Sequence, residues 1–269
     1  MNFKRWLEKR QLRCMSRPGL PVNARVLGTE LKFLCRSDIE VWRVKSAATK
    51  EAGTVAWIGE ELGAGDVFCD IGANIGLYTL MAASRVGARG AVYAFEPHAA
   101  NFQSLLRNIA ANNFGGFVRP FSCALHDSEG VFDFNYQSFT AGSSMSQLGA
   151  TRDGEEREFL PVVREAKLST TLDRLVQEGA MRPPTHIKLD VDGNELPILR
   201  GMRQRLVASD RPRSLQVEVN QRYRDELMRF LGECGYRQYH RHDTADGLRQ
   251  IAEGRDKELV AHNALFRPS

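Results

Sequence analysis

Val67-Phe68-Cys69-Asp70-Ile71-Gly72-Ala73-Asn74-Ile75-Gly76-Leu77-Tyr78-Thr79-Leu80-Met81-Ala82-Ala83 is the stretch whose reading decides the fold. A short apolar run ends on an acid, a turn with two glycines follows, and a longer apolar stretch of helical length comes next. This order is that of a strand feeding a helix across the edge of a parallel sheet. Gly72 and Gly76 allow the backbone to bend sharply and to approach a ligand closely, and the helix that follows presents free N–H groups to it. The turn is not the dinucleotide fingerprint, because Asn74 holds its middle position and the third glycine is missing. Nicotinamide and flavin dinucleotides are thereby disfavoured.

Outward from this turn the same rhythm repeats. Strands are expected at 67–71, 91–95, 117–125, 187–191 and 215–219, with crossover helices at 76–86 and 98–112. A helix should follow Gly193 through Leu196, Leu199 and Met202, and another should cover 225–233. The end of the chain, 259–266, reads as a last strand paired with 238–242 across a polar turn at 243–247. These elements predict a doubly wound α/β fold, a mainly parallel seven-stranded Rossmann-like sheet with helices on both faces. Residues 23–65, with a hairpin around 25–35 and helical sequence through Trp42 and Trp57, form an N-terminal cap on a main domain spanning 66–269. Residues 137–158 are polar and without period, follow a hairpin strand at 131–136, and suit a lid loop over an acceptor.

The chain of 269 residues, 42% hydrophobic, is long enough for one full core. It has no apolar run of membrane-spanning length, and its opening MNFKRWLEKRQLRCMSR lacks the features of a secretory signal, so the expected location is the cytoplasm. Cys14, Cys35, Cys69, Cys123 and Cys234 are odd in number and scattered, which reads as reduced thiols. The formal charge of +4 is concentrated in a basic arm, residues 1–22, where Lys4, Arg5, Lys9, Arg10, Arg13 and Arg17 face a single acid, Glu8. With Phe3, Trp6 and Leu7 the arm could touch a membrane surface, a nucleic acid or an acidic partner, or it could be a solvated or frayed helical end. No specific nucleic acid is expected, and oligomeric state is not legible.

The second strand, AVYAFEP, ends in Glu96. A carboxylate there can accept hydrogen bonds from both hydroxyls of a ribose, in the crevice where open α/β sheets hold ligands. Around THIKLDVDGNE, Asp190 ends a central strand beside the first one, and Asp192 and Glu195 follow on the turn and the first helical turn. Acids in that place also suit a helix N-terminus as simple capping groups. Glu218 ends the next strand and Asn220 follows it, so the mouth of the sheet is rich in carboxylates.

Three blocks, VFCDIGANIGLYTL, YAFEPHAANFQSLLRNIAANN and HIKLDVDGNELPILRGM, resemble the FkbM family of S-adenosylmethionine (SAM)-dependent methyltransferases over roughly 66–202. Beyond about Leu206 only SLQVEVN aligns, and nothing before Leu27 does. The resemblance implies SAM as cofactor, seated on the turn from Asp70 through Gly72, Ala73 and Asn74 to Gly76. It implies that Asp70, Gly72, Asn74 and Gly76 contact the methionine part, that Glu96 holds the ribose, and that the backbone near Ala124 lies by the adenine. It also implies O-methylation of a hydroxyl on a sugar, glycolipid or polyketide-type metabolite. N-methylation of a peptide or amine, or a silent binding protein of the same fold, are the alternatives.

An aliphatic hydroxyl needs a base, and Asp190 is the candidate, with Asp192, Glu195 and Glu218 as substrate-binding neighbours. Two other roles for Asp190 stay open: holding the SAM amino group, or joining these acids on a divalent cation. No metal is assigned, because His98, His126, His240 and His242 lack the cysteines of a zinc site. No serine nucleophile elbow and no P-loop occur, which sets aside serine hydrolase and nucleotide triphosphatase chemistry.

Overall fold

The computed structural model describes residues 19–152, 157–220 and 223–269. Most of the basic arm therefore lies outside the described residues, and its last residues already belong to a hairpin. That hairpin pairs β1 (Leu20–Val26) with β2 (Thr29–Cys35), and the helices α1 (Asp38–Lys45) and α2 (Ala52–Glu61) complete the cap. Ser37 opens α1 with a capping box, its hydroxyl accepting from the Glu40 N–H while Glu40 reaches back to the Ser37 N–H.

The main sheet consists of β3 (Val67–Ile71), β4 (Ala91–Phe95), β5 (Val118–Phe121), β10 (His186–Leu189), β11 (Ser214–Val219), β12 (Tyr236–Asp243) and β13 (His262–Pro268). Its seven strands run in the order β12-β13-β11-β10-β3-β4-β5, with β13 antiparallel to both its neighbours and the other pairings parallel. The expected seven-stranded, mainly parallel Rossmann-like sheet is thus observed. Alternate residues of each central strand feed cores on opposite faces. Cys69, Ile71, Tyr93 and Ile187 pack with α6 (Glu195–Arg200), α7 (Arg203–Val207) and α8 (Arg224–Glu233), while Phe68, Val92 and Ala94 pack with the cap, α3 (Leu77–Val86) and α4 (Ala99–Ala111).

Several expectations are corrected. The strand expected at 117–125 is two pieces. After Phe121 the chain leaves the sheet edge, where Pro120 is tolerated, and β6 (Ala124–Leu125) pairs instead with β9 (Val163–Thr170). β9 was not anticipated. With β7 (Gly130–Tyr136) and β8 (Gln147–Leu148) it forms a second, four-stranded sheet ordered β6-β9-β7-β8, followed by an unanticipated helix α5 (Leu172–Gln177). The described residues of 137–158 are consequently not structureless: they carry β8 and a bridge between Arg152 and Glu158. The helix after Gly193 breaks between α6 and α7, where a side chain on Gly201 would lie 2.0 Å from the His126 carbonyl oxygen. Between β12 and β13 the polar turn is a helix, α9 (Ala245–Ala252), capped by the Thr244 hydroxyl accepting from the Gly247 N–H. β13 then begins at His262 rather than 259. Among the described residues no helix is long and apolar enough to cross a membrane.

Candidate active site

From β3 the chain winds outward through β4 to β5 and then returns to β10 on the other side of β3, so the strand order reverses between β3 and β10. Ligands of doubly wound sheets sit outside the carboxyl ends of the strands at such a reversal. A cleft of about 660 Å³ opens there, lined by Gly72, Asn74, Glu96, Ala124, Asp190 and Asp192 among others. Its apolar lining includes Phe95, Leu125, Phe134, Leu148 and Ile198.

Gly72 has φ +83°, and a Cβ on it would lie 1.8 Å from the Asp190 carbonyl oxygen. A glycine is required there because the chain after β3 and the chain after β10 close on each other. Gly76, at φ +91°, opens α3 against Leu105. Asn74 is also left-handed, at φ 50°, and its N–H donates to Glu96 Oε2 at 2.7 Å. Glu96 Oε1 accepts from the His98 N–H at 2.8 Å. Burial pushes the Glu96 carboxyl up to about 7, against the pull of these two backbone bonds.

A buried charged row crosses the sheet below the cleft. Lys188 on β10 stands in register with Asp70 on β3, and both are almost completely buried. The Lys188 ammonium donates to Asp190 Oδ2 at 3.1 Å, lies 3.8 Å from Asp70 Oδ1, and sits 5.2 Å from the centre of the Tyr78 ring. Burial opposes its charge, but Asp190 and Asp70 outweigh it and hold Lys188 above the ordinary lysine value. Burial likewise opposes the Asp190 charge, and Lys188, with Lys50 and Arg43 from the cap, outweighs it and holds Asp190 below the usual carboxylate value. Asp70 goes the other way. Its burial prevails over a cation already bonded to Asp190, and over the bond from the Thr79 hydroxyl to its Oδ2 at 2.6 Å.

Carboxylate oxygens of Asp190, Asp192 and Glu218 all lie within 4.8 Å of one another. Burial, then Asp190, raises Asp192. Burial, followed by Asp190, Glu195 and Asp192, pushes Glu218 well above its ordinary value. Glu195 is a clip on the turn after β10. Its Oε1 accepts from the Val191 and Gly193 N–H groups at 3.0 and 3.2 Å, and its Oε2 accepts from Asn220 Nδ2 at 3.0 Å. Burial pushes it up to about 7.

The segment after β7 is stitched across the cleft. Asn101, buried in α4, accepts from the Gly142 N–H at 2.7 Å and donates to the Ser143 carbonyl at 3.0 Å, and Asn74 Nδ2 donates to the same carbonyl. Met145 N–H donates to Asp192 Oδ2 at 2.9 Å, and Gln147 Nε2 donates to the Asp192 carbonyl at 2.8 Å. His98 caps α4 and places its Nε2 2.8 Å from the Ser138 carbonyl. From the cap, Arg43 Nε donates to the Gly142 carbonyl.

Of the residues singled out from sequence, Gly72, Asn74, Glu96, Ala124, Asp190 and Asp192 share the cleft wall. Asp70, Ala73, Gly76, Glu195 and Glu218 do not line it. Asp70 and Glu195 support it from below, and Glu218 meets Asp190 and Asp192 at its rim. His126, His240 and His242 are not part of its wall. Lys188, Asn101 and Arg43 were missed. Lys188 had a signal, a lysine in the middle of a central strand, which must be paired to be buried.

The sequence matches the Methyltransferase FkbM domain over residues 70–238, more than half of the chain. It is 28% identical over 189 residues to the hexuronic acid methyltransferase AglP of Haloferax volcanii, covering 69% of this chain and 70% of that protein. It is 26% identical over 153 residues to the methyltransferase sdnD of Sordaria araneosa, covering 49% of this chain and 59% of the relative. Among solved structures, the precorrin-6Y C5,15-methyltransferase of Geobacter metallireducens superposes with a TM-score of 0.49 at 10% identity, over 88% of this chain and 93% of that one. The fibrillarin of Aeropyrum pernix does so with a TM-score of 0.47 at 11% identity, over 93% and 84%. The chain belongs to the FkbM methyltransferase family and is an S-adenosylmethionine-dependent methyltransferase.

Proposed function

We propose that this enzyme methylates a hydroxyl of a sugar-type acceptor at the cleft between β3 and β10. The observation that carries the cofactor part is the make-up of the cleft wall, with an apolar lining, a buried acid at the end of β4, and an anion at the end of β10. The donor set fits SAM. The apolar lining with Ala124 suits adenine, Glu96 suits the ribose hydroxyls, and the turn from Gly72 to Asn74 with Asp190 suits the cationic methionine part. Both Glu96 oxygens already accept one backbone bond, and each retains a second lone pair for a hydroxyl. Bound SAM supplies a methyl group on a sulfonium, already a good leaving group.

What remains for the chain is alignment, exclusion of water and removal of a proton. Residues 137–147 cover the cleft through Asn101, Asn74 and Asp192, and we assign them the lid role. Asp190 supplies a fixed negative charge at the cleft wall, Asp192 beside it offers an acceptor to the hydroxyls of a polyol, and Glu218 comes within 4.8 Å of both. The sugar class is supported by similarity to a hexuronic acid methyltransferase. The same three carboxylates would also suit a cationic amine, the second reading.

Labelled SAM with neutral glycosides, uronic acids and aminosugars tests both readings. Label fixed on a hydroxyl oxygen of a neutral sugar or uronate supports the first, and label on nitrogen supports the second. Calorimetry with Glu96→Ala tests the cofactor site. SAM binding should weaken by at least ~1.5 kcal/mol, the scale of a lost charge-assisted bond, and unchanged affinity would sink the assignment.

A further inference from the structure

We propose that Lys188 is a positioning residue that locks Asp190 at the cleft wall as an anion and so leaves Glu218 to take the acceptor's proton. The inference rests on the reading that the cleft methylates a hydroxyl, and it replaces the expectation that Asp190 is the base. Three carboxylates within 4.8 Å of one another cannot all carry charge unless something compensates. The ammonium of Lys188 is that compensation, and it is unevenly shared. It bonds Asp190 at 3.1 Å, and no contact to Asp192 or Glu218 accompanies that bond among the described residues. Asp190 keeps 21% of its side chain open to the cleft while its Oδ2 is tied to Lys188 from below.

The charged surroundings point the same way. Asp190 is faced by Lys188 and Asp70 from the sheet, by Asp192 and Glu195 from the turn and α6, by Glu218 from β11, and by Arg43 and Lys50 from the cap. Tyr78 of α3 adds a buried hydroxyl, with Glu51 of the cap facing it. Glu218 is faced by Asp190, Asp192, Glu195 and Glu51, all acids. A carboxylate held ionised by a bonded lysine is a poor proton acceptor, whereas one crowded by anions takes a proton readily. As the acceptor oxygen bonds the methyl carbon and the methyl–sulfur bond breaks with its electron pair going to sulfur, the hydroxyl proton passes to the Glu218 carboxylate. It leaves from there to water.

The test is carbon-13 NMR of side-chain carboxyls in the full chain, with Asp190→Asn and Glu218→Gln used for assignment. Glu218 is expected to titrate in the window above the ordinary carboxylate range while Asp190 stays ionised throughout it. In Lys188→Met the Asp190 signal should begin to titrate in that window, and Lys188→Arg should restore it. With SAM saturating, Glu218→Gln should slow transfer by ~10²-fold or more, with SAM affinity unchanged within about twofold on the scale of a lost neutral contact. Titration of Asp190 in the wild type, an unaltered Asp190 signal in Lys188→Met, or full transfer by Glu218→Gln would overturn the proposal. Should Lys188→Met not fold, the wild-type signals and Glu218→Gln still decide it. Failure of the wild type to methylate any hydroxyl would sink the functional reading and the proton's destination, and leave the carboxyl signals to judge the Lys188–Asp190 lock separately.

Discussion

Gly72→Ala is the sharpest probe of how the cleft is built. At φ +83° an alanine takes up a left-handed backbone that costs about 1–2 kcal/mol. Its Cβ would also lie 1.8 Å from the Asp190 carbonyl oxygen, a backbone atom in the wall of the cleft that cannot swing aside as a side chain can. Forcing an extra carbon into a packed site adds about 1–3 kcal/mol. The sum, about 2–5 kcal/mol, corresponds to a fall in Tm of about 5–15 °C for a chain of this size. Since β10 must move away from β3 to relieve the contact, Asp190 is displaced and SAM affinity should fall as well. Gly115→Ala is the control. Nothing lies within 4 Å of a Cβ there, and its stability should stay within ~0.5 kcal/mol. Thermal unfolding with and without SAM reads both quantities. If Gly72→Ala melts within about 2 °C of the wild type, the close approach of β3 and β10 at the cleft is wrong.

Asn101→Ala removes the bond that the Gly142 N–H donates and one of the two that the Ser143 carbonyl accepts, so amide exchange at Gly142 should speed up by ~10-fold or more; unchanged exchange would mean that other contacts hold residues 137–147. Glu96 has its carboxyl raised from 4.5 to about 7, so its contribution to stability is whole below 4.5 and is lost as pH rises through about 7. Without SAM, Glu96→Gln should therefore lose less Tm than the wild type across that interval, and identical slopes would contradict the buried acid. His186, lowered from 6.5 to about 4 first by burial and then by Arg213, contributes stability that is present above 6.5 and lost as pH falls through about 4. His186→Asn should flatten that acid limb of the Tm profile, and a limb of unchanged steepness would place the acid sensitivity in other groups.

The strands that carry the cleft were legible because each is short, apolar and closed by a turn residue. β3 and β4 have the bounds read from sequence, and α3 and α4 follow within a residue. Legibility failed where long-range pairing decides. Val163–Thr170 alternates exposed and buried positions, yet its Arg, Glu and Lys hid a strand whose partners, β6 and β7, stand about thirty to forty residues earlier. Residues 137–147 read as periodless for the same reason, because Asn101, Asn74 and Asp192, which hold them, come from three distant parts of the chain. In the site, Glu96 and Asp190 were legible from their places at strand ends. The supporting role of Glu195 was legible only as one alternative, since its backbone partners at Val191 and Gly193 depend on how the turn is folded.

Lys188 exposes a rule that periodicity alone does not supply. HIKL and SLQVEV alternate polar and apolar residues as half-exposed strands do, yet β10 and β11 lie in the middle of a sheet covered on both faces. Their apolar residues, Ile187, Leu189, Leu215 and Val217, fill one core, and their polar ones form a layer on the other face beneath the cap. Within that layer Trp57 of α2 donates to the Ser214 hydroxyl at 2.9 Å, and Asn263 reaches Glu51 and Thr54. Gln216, in register with Lys188, has no side-chain partner among the described residues. Burying such groups costs stability unless every one is bonded, so hydrophobic residues would serve a purely structural sheet better. The layer rises strand by strand toward the cleft, from His186 and Ser214 through Lys188 and Gln216 to Asp190 and Glu218. In this sheet the polar alternation inside strands buried on both sides leads to the cleft, and the cap that covers it contributes Arg43 and Lys50 to the charges around Asp190.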